Sequence, residues 1–188
     1  VFLFGWHDRT KTLPQEDEET GETVEDAIAV QFPVKVPKGP MDAKPYFIWG
    51  DRRPVYLWHW NVAAPEKVTE MNAKGINQAT VQASQTEMEV EGVYEDGQYQ
   101  LWVKRSLVTG DKNDLKFEPG VFVPIAFSVW DGSNGDVKTK RAISTWYTFI
   151  LDPVPSNKRF VYPPIVALIS VGILFGLKGS VRRRGNAN

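Results

Sequence analysis

Apolar and polar residues alternate along much of the first 151 positions, a pattern that is typical of β-strands with one buried face. The alternation is clearest in residues 88–97 and 98–107, and Asp96-Gly97 between them is a typical hairpin turn. Residues 122–132, FVPIAFSVWDG, are almost continuously apolar and predict a central strand that is buried on both faces. Further strands are predicted at residues 1–6, 27–34, 54–60, 79–84 and 142–151.

Two segments between these strands have other patterns. Residues 10–25 are acidic and rich in turn residues, so we expect a solvated loop there. Residues 65–75 carry Val68 and Met71 at helical spacing and predict a short helix. The strands and the turn signals between them predict an all-β fold, a two-sheet antiparallel β-sandwich over residues 1–151.

The C-terminal part has a different character. Residues 160–177 contain no charged side chain, and as a helix they would be about 27 Å long, close to the thickness of a bilayer core. The expected order is a Pro-rich linker at 152–159, a transmembrane helix at 160–181 and a basic tail at 182–188. Basic flanks stay in the cytoplasm. The expected localisation is therefore a single-pass membrane protein whose sandwich lies on the periplasmic or extracytoplasmic side.

The composition removes several classes of function. The chain has no cysteine, which excludes disulfides, thiolate metal sites and a covalently attached haem. Its formal net charge is -1, so nothing indicates a nucleic-acid partner. His7 and His59 are its two histidines, and no phosphate-loop, dinucleotide, zinc-protease or serine-hydrolase motif occurs. We expect a non-catalytic protein.

A set of motifs across residues 2–151 is more specific than the strand pattern. The segment from Glu91 reads EGVYEDGQYQLWVKRSL, and FEPGVFVPIAFSVWDGSNGD and KRAISTWYTFIL follow it. Upstream, the chain contains AVQFPV, PYFIWGD and RPVYLWHW. This combination resembles the haem b-binding gamma subunits of the type II dimethyl sulfoxide reductase family, which includes the ethylbenzene, dimethyl sulfide, selenate and chlorate enzymes and the related nitrite oxidoreductases.

The resemblance implies a β-sandwich that holds one haem b by non-covalent contacts, with a methionine and a lysine as axial ligands. Such a subunit passes electrons between an iron–sulfur subunit and an outside carrier. The expected partners are iron–sulfur and molybdenum-type catalytic subunits, or other subunits of a respiratory complex. The expected role is electron transfer in a multi-subunit oxidoreductase.

The resemblance also indicates which residues would meet the haem. Its lysine corresponds to Lys140 or Lys138, whereas Ile48 and Trp49 stand where its methionine is expected, and neither can bind iron. Three residues could replace that methionine: Met41, His59 or Met71. Trp49 and Trp130 are the aromatic residues expected to contact the porphyrin.

Two alternatives follow from the departure at Ile48-Trp49. In the first, the sandwich has lost its haem and serves as a cofactor-free structural or docking subunit of the same kind of complex. In the second, exposed tryptophans stack on sugar rings, and the domain binds carbohydrate. An absorption spectrum separates the haem-binding form from both alternatives.

Overall fold

The computed structural model describes residues 1–39, 41–153 and 162–170 of the 188-residue chain. Val1–Leu151 form one compact unit, and the described residues 152–153 and 162–170 belong to a second unit. The first unit contains the strands β1 (Phe2–His7), β2 (Gln15–Glu16), β3 (Thr23–Val24), β4 (Ala27–Pro33), β5 (Val55–Asn61), β6 (Val68–Ala73), β7 (Ala79–Val81), β8 (Met88–Glu95), β9 (Gln98–Arg105), β10 (Phe122–Trp130), β11 (Ala142–Ile143) and β12 (Tyr147–Ile150). A single-turn 3-10 helix covers Gly132–Asn134. The predicted all-β fold is confirmed.

These strands form two main sheets and one small hairpin, and their pairing is antiparallel. The larger sheet has the order β11-β10-β4-β5-β6-β7, and β12 also pairs with β10. The smaller sheet has the order β1-β9-β8. The short β2-β3 hairpin lies within the acidic segment for which the sequence predicted a loop.

The two sheets share one aromatic core. In β9 every second residue is buried, and Tyr99, Leu101 and Val103 contribute to this core together with Trp58 and Trp60 of β5. Aromatic rings connect the sheets: Phe2 meets Trp58 edge-on at 5.3 Å, and Trp6 meets Trp60 edge-on at 5.8 Å. Offset and edge-on ring pairs of this kind stabilise a core beyond the area that they bury.

Strand β5 is buried on both faces because successive side chains point in opposite directions. Trp58 and Trp60 belong to the core between the sheets, whereas Leu57 belongs to a second apolar cluster that includes Trp49 and Trp130. The second cluster forms the floor of the candidate site described below.

The carboxylate of Asp26, which is fully buried, joins segments that are far apart in sequence. It accepts hydrogen bonds from the backbone N–H of Thr12 at 2.6 Å, the hydroxyl of Tyr99 at 2.7 Å and the backbone N–H of Gly132 at 2.9 Å. Asp8 and Asp131 lie beside it, and burial together with these charges raises the pKa of the Asp8 carboxyl. The Asp26 carboxylate thus joins the loop before β2, the smaller sheet and the 3-10 helix.

The short helix predicted over residues 65–75 is wrong, since β6 is a strand that pairs with β5 and β7. Its buried Glu70 accepts hydrogen bonds from the Tyr56 hydroxyl and the Thr86 backbone N–H. These tertiary bonds and the open edge of β5 outweigh the local helical spacing. The strand predicted over 142–151 is divided into β11 and β12, with Ser144 bonded to Phe127 at the break.

Much of the predicted transmembrane helix (160–181), most of the linker (152–159) and the whole basic tail (182–188) lie outside the described residues. Residues 162–170 are helical. No helix within the described ranges has the length and apolar character needed to cross a membrane. On this finding, the predicted localisation as a single-pass membrane protein is wrong for the part of the chain that the structure describes.

Substitution of Gly92 tests the close approach of the two sheets. A Cβ atom at Gly92 would lie 2.8 Å from Cε2 of Trp60, so Gly92→Ala should lower the free energy of unfolding by about 1–3 kcal/mol. Urea unfolding measures this change. Gly110→Ala is the matched control, because a Cβ there meets no atom within 4 Å. Equal stability of the two variants would contradict the packing.

Substitution of Asp26 tests the buried carboxylate. Asp26→Ala leaves three buried donors without a partner and should lower the free energy of unfolding by about 3 kcal/mol or more. Tyr99→Phe removes one of the three bonds and should cost about 1 kcal/mol. Chemical unfolding of both variants gives the comparison, and an Asp26→Ala loss no larger than that of Tyr99→Phe would refute the shared anchoring role.

Candidate functional site

A cavity of about 570 Å³ opens on the face of the larger sheet that carries the second apolar cluster. Its aromatic lining residues are Trp49, His59 and Trp130. The indoles of Trp49 and Trp130 meet edge-on at 6.0 Å, and the His59 ring lies 5.6 Å from Trp130. Strand β4 lies between β5 and β10, and this sheet order brings His59 and Trp130 together.

Trp49 is fixed by its backbone and by its side chain. Its φ is +57°, a left-handed conformation that costs an aromatic residue about 1–3 kcal/mol and persists only where the surrounding structure enforces it. Its backbone N–H donates to Oε1 of the buried Gln31 at 2.9 Å, and its indole N–H donates to the hydroxyl of Ser128 at 3.2 Å. The next residue, Gly50, has a φ of +83° and no room for a Cβ, because Arg53 O would lie 2.9 Å away. Trp49 is therefore a rigid part of the cavity wall.

His59 is the imidazole of this cavity. It lies on the cavity side of β5, and burial lowers its pKa below the ordinary value of 6.5. At neutral pH the ring is therefore uncharged, and one nitrogen has a free lone pair. Neither ring nitrogen makes a hydrogen bond to any residue that the structure describes. A neutral imidazole of this kind can bind a metal ion or accept a proton.

The turn before β11 closes one side of the cavity. The indole N–H of Trp130 donates to the carbonyl oxygen of Lys138 at 3.0 Å, and Nη1 of Arg141 donates to the same oxygen at 2.5 Å. The Arg141 guanidinium lies 4.2 Å from the ring centre of Trp49 and 5.0 Å from that of Trp130. Contacts between a cation and an indole face are favourable, more so when they are shielded from water. Arg141 therefore forms part of the aromatic wall.

The residues predicted from the sequence fall into two groups. Trp49, His59, Met71, Trp130 and Lys138 all line the cavity. The Nζ of Lys138 forms a salt bridge with Oε1 of Glu22 at 2.5 Å.

Met41 and Lys140 belong to the second group, since neither lines the cavity. Met41 is 96% exposed. Lys140 is exposed, its ammonium group donates to the carbonyl oxygens of Asn134 and Gly135, and it lies 3.8 Å from Asp136. Their assignment as iron ligands stays a prediction.

Arg141 is a charged cavity residue to which the sequence motifs assigned no role. A guanidinium cannot ligate iron, and no local pattern reveals that this side chain covers two indoles. The available signal is its position directly after Lys140, in a segment that the family motifs include.

No family model matches the chain. The chain is similar to a protein of Haloferax mediterranei that is provisionally named a respiratory nitrate reductase heme subunit, with 28% identity over 162 residues. The match covers 85% of this chain and 56% of that protein. The chain therefore spans about half the length of the relative that it matches.

The depressed pKa of His59 makes stability depend on pH. The unfolded chain binds a proton at this ring more readily than the folded chain, so the contribution of His59 is complete above about pH 6.5 and is lost as the pH falls through that value. His59→Gln should therefore lose less free energy of unfolding than the unsubstituted protein between about pH 7 and pH 5.5. Urea unfolding at a series of pH values measures the difference.

His7 provides the control, because its side chain is exposed on β1. The His7→Gln variant should keep the pH dependence of the unsubstituted protein. If the free energy of unfolding of the His59→Gln variant changes with pH as much as that of the unsubstituted protein, burial of His59 does not contribute to the pH dependence.

Proposed function

We propose that this chain is a haem-containing, non-catalytic electron-transfer subunit of a respiratory oxidoreductase complex. The observation that carries the proposal is the convergence of the neutral His59 with Trp49 and Trp130 in one cavity. The similarity to a protein named as a heme subunit of a respiratory nitrate reductase supports the same function. The family resemblance of the sequence motifs makes haem b the proposed form of the cofactor.

The residues of the cavity suit a porphyrin in three respects. The volume of about 570 Å³ is within the range of about 300–1,000 Å³ that is common for ligand sites. Trp49 and Trp130 supply apolar, aromatic surface. His59 supplies a nitrogen donor, and the soft thioether of Met71 lines the same cavity. With no cysteine in the chain, attachment would be non-covalent.

Each of these residues has a defined part in the proposal. The haem, when bound, supplies one-electron redox chemistry. His59 would hold the iron, and Met71 or Lys138, which line the same cavity, are the candidates for a second ligand. Met41 and Lys140, which lie outside the cavity lining, are the less favoured ligands. The indoles of Trp49 and Trp130 exclude water, and a drier site raises the influence of every nearby charge on the reduction potential.

The proposed partners are the subunits that carry out the chemistry. Electron transfer requires a donor and an acceptor, and the resemblance suggests iron–sulfur and molybdenum-type catalytic subunits for one of these positions. The second candidate function is a cofactor-free docking subunit of the same kind of complex. It is favoured by Trp49, because a fixed indole follows Ile48 at the position where the resemblance expects a methionine ligand.

Titration of the purified full chain with haemin tests the proposal. The unsubstituted protein should bind one haem and develop a Soret band, and pyridine haemochrome should identify haem b. His59→Ala should weaken haem binding by on the order of 10- to 100-fold, a loss that is known even for residues that only support metal ligands. The Soret band of this variant should also shift, because His59 would no longer hold the iron.

Lys140→Ala and Met41→Ala are the matched comparisons, and both should keep the affinity and the spectrum. If Lys140→Ala rather than His59→Ala loses the band, the iron ligand is the lysine that the family pattern indicates. If the protein does not change the absorption spectrum of added haemin, the result would favour the docking subunit over the electron-transfer subunit.

A further inference from the structure

One nitrogen of the Arg141 guanidinium makes a hydrogen bond, and the other two make none among the described residues. Nη1 donates to the carbonyl oxygen of Lys138, while Nε and Nη2 are buried and have no hydrogen-bond partner among the described residues. Both ring neighbours, Trp49 and Trp130, cover the guanidinium and offer it no acceptor atom. A buried charged donor without a partner is costly, so this unsatisfied edge needs an explanation.

The two unpartnered atoms have a definite shape. Nε and Nη2 point their N–H groups to the same side of the planar guanidinium, and this edge matches the two oxygens of one carboxylate. Arginine is the residue that recognises carboxylates in this bidentate manner. Nη1, bonded to Lys138, holds the plane in a fixed orientation while leaving this edge unused.

The acidic residues that line the cavity do not fill this role. The Oε1 atom of Glu25 accepts from the Asn61 side chain at 3.1 Å, and its Oε2 atom is buried without a partner. Asp136 accepts from the backbone N–H of Asp131 at 3.3 Å and faces Lys140 at 3.8 Å. No salt bridge to Arg141 is formed by any residue of the described ranges. Among the described residues, these acidic groups therefore leave the free edge of Arg141 without an acceptor.

We infer that Arg141 is the carboxylate-binding residue of the cavity and that it binds a propionate of the porphyrin. The inference rests on the proposed function, and it adds the group by which the cofactor is oriented. A propionate pairs with the fixed guanidinium while the apolar macrocycle meets the two indoles. A small free carboxylate such as acetate has the same headgroup but lacks the ring, so a comparison of the two separates these sources.

The experiment compares haemin with its dimethyl ester, in which both propionates are neutral and cannot accept the bidentate pair. Optical titration of the full chain should show that haemin binds more tightly than the ester by on the order of 10- to 100-fold, the effect of losing charge-assisted hydrogen bonds. In Arg141→Gln this preference should fall to near one, with the ester bound about equally by both proteins. Arg141→Lys should retain part of the preference, because it keeps the charge and loses the fork.

Lys140→Gln is the matched control, since it removes the neighbouring, exposed positive charge and should keep the preference for haemin. Thermal unfolding establishes that each variant is folded. Acetate at millimolar concentration should not displace haemin from any of the proteins, and displacement would assign the edge to small carboxylates instead.

The outcomes separate the two proposals. If both porphyrins bind, and with the same relative affinity in the unsubstituted protein and in Arg141→Gln, then Arg141 does not bind a propionate and the haem-binding function stands. If neither porphyrin binds, the proposed function fails and the propionate assignment fails with it.

Discussion

The fold depends on a buried carboxylate at the start of its central strand. Asp26 accepts hydrogen bonds from the Thr12 loop, from Tyr99 in the smaller sheet and from Gly132 in the 3-10 helix. Its position fixes the smaller sheet against the larger one and also fixes the chain that leaves β10. That chain continues to Arg141, so the same carboxylate that anchors the core also sets where one wall of the cavity begins.

The aromatic content of the chain serves two separate purposes because β5 is buried on both faces. Trp58 and Trp60 fill the space between the sheets, and Gly92 allows the smaller sheet to approach Trp60 closely. On the other face, Leu57 packs with the Trp49–Trp130 cluster, and His59 lies at the cavity. A one-residue shift in the register of β5 would exchange these two sets, which gives the strand a strongly specified register.

Local patterns in the sequence were sufficient for the strands whose alternation is strong. The hairpin of β8 and β9 turns at Asp96-Gly97, both with positive φ, as the Asp-Gly signal predicted. Strand β6 was not predictable in this way, because buried Glu70 and the edge of β5 determine it. For the site, motifs located Trp49, His59 and Trp130. The role of Arg141 was out of reach, because it depends on a contact with Trp49 that only the folded chain creates.

In the proposed function, the cavity holds iron without the methionine that the family resemblance expects. Trp49 occupies the turn with a backbone and an indole that are both hydrogen-bonded, so the turn has no freedom to offer a donor. His59 lies on a central strand instead, where burial lowers the pKa of its imidazole and keeps the ring neutral. In the proposed function, the donor has therefore moved from a turn to the sheet. If haem is bound as proposed, the positive charge of Arg141 would favour the reduced iron, and a propionate paired with Arg141 would offset that effect, so one ion pair would adjust both orientation and reduction potential.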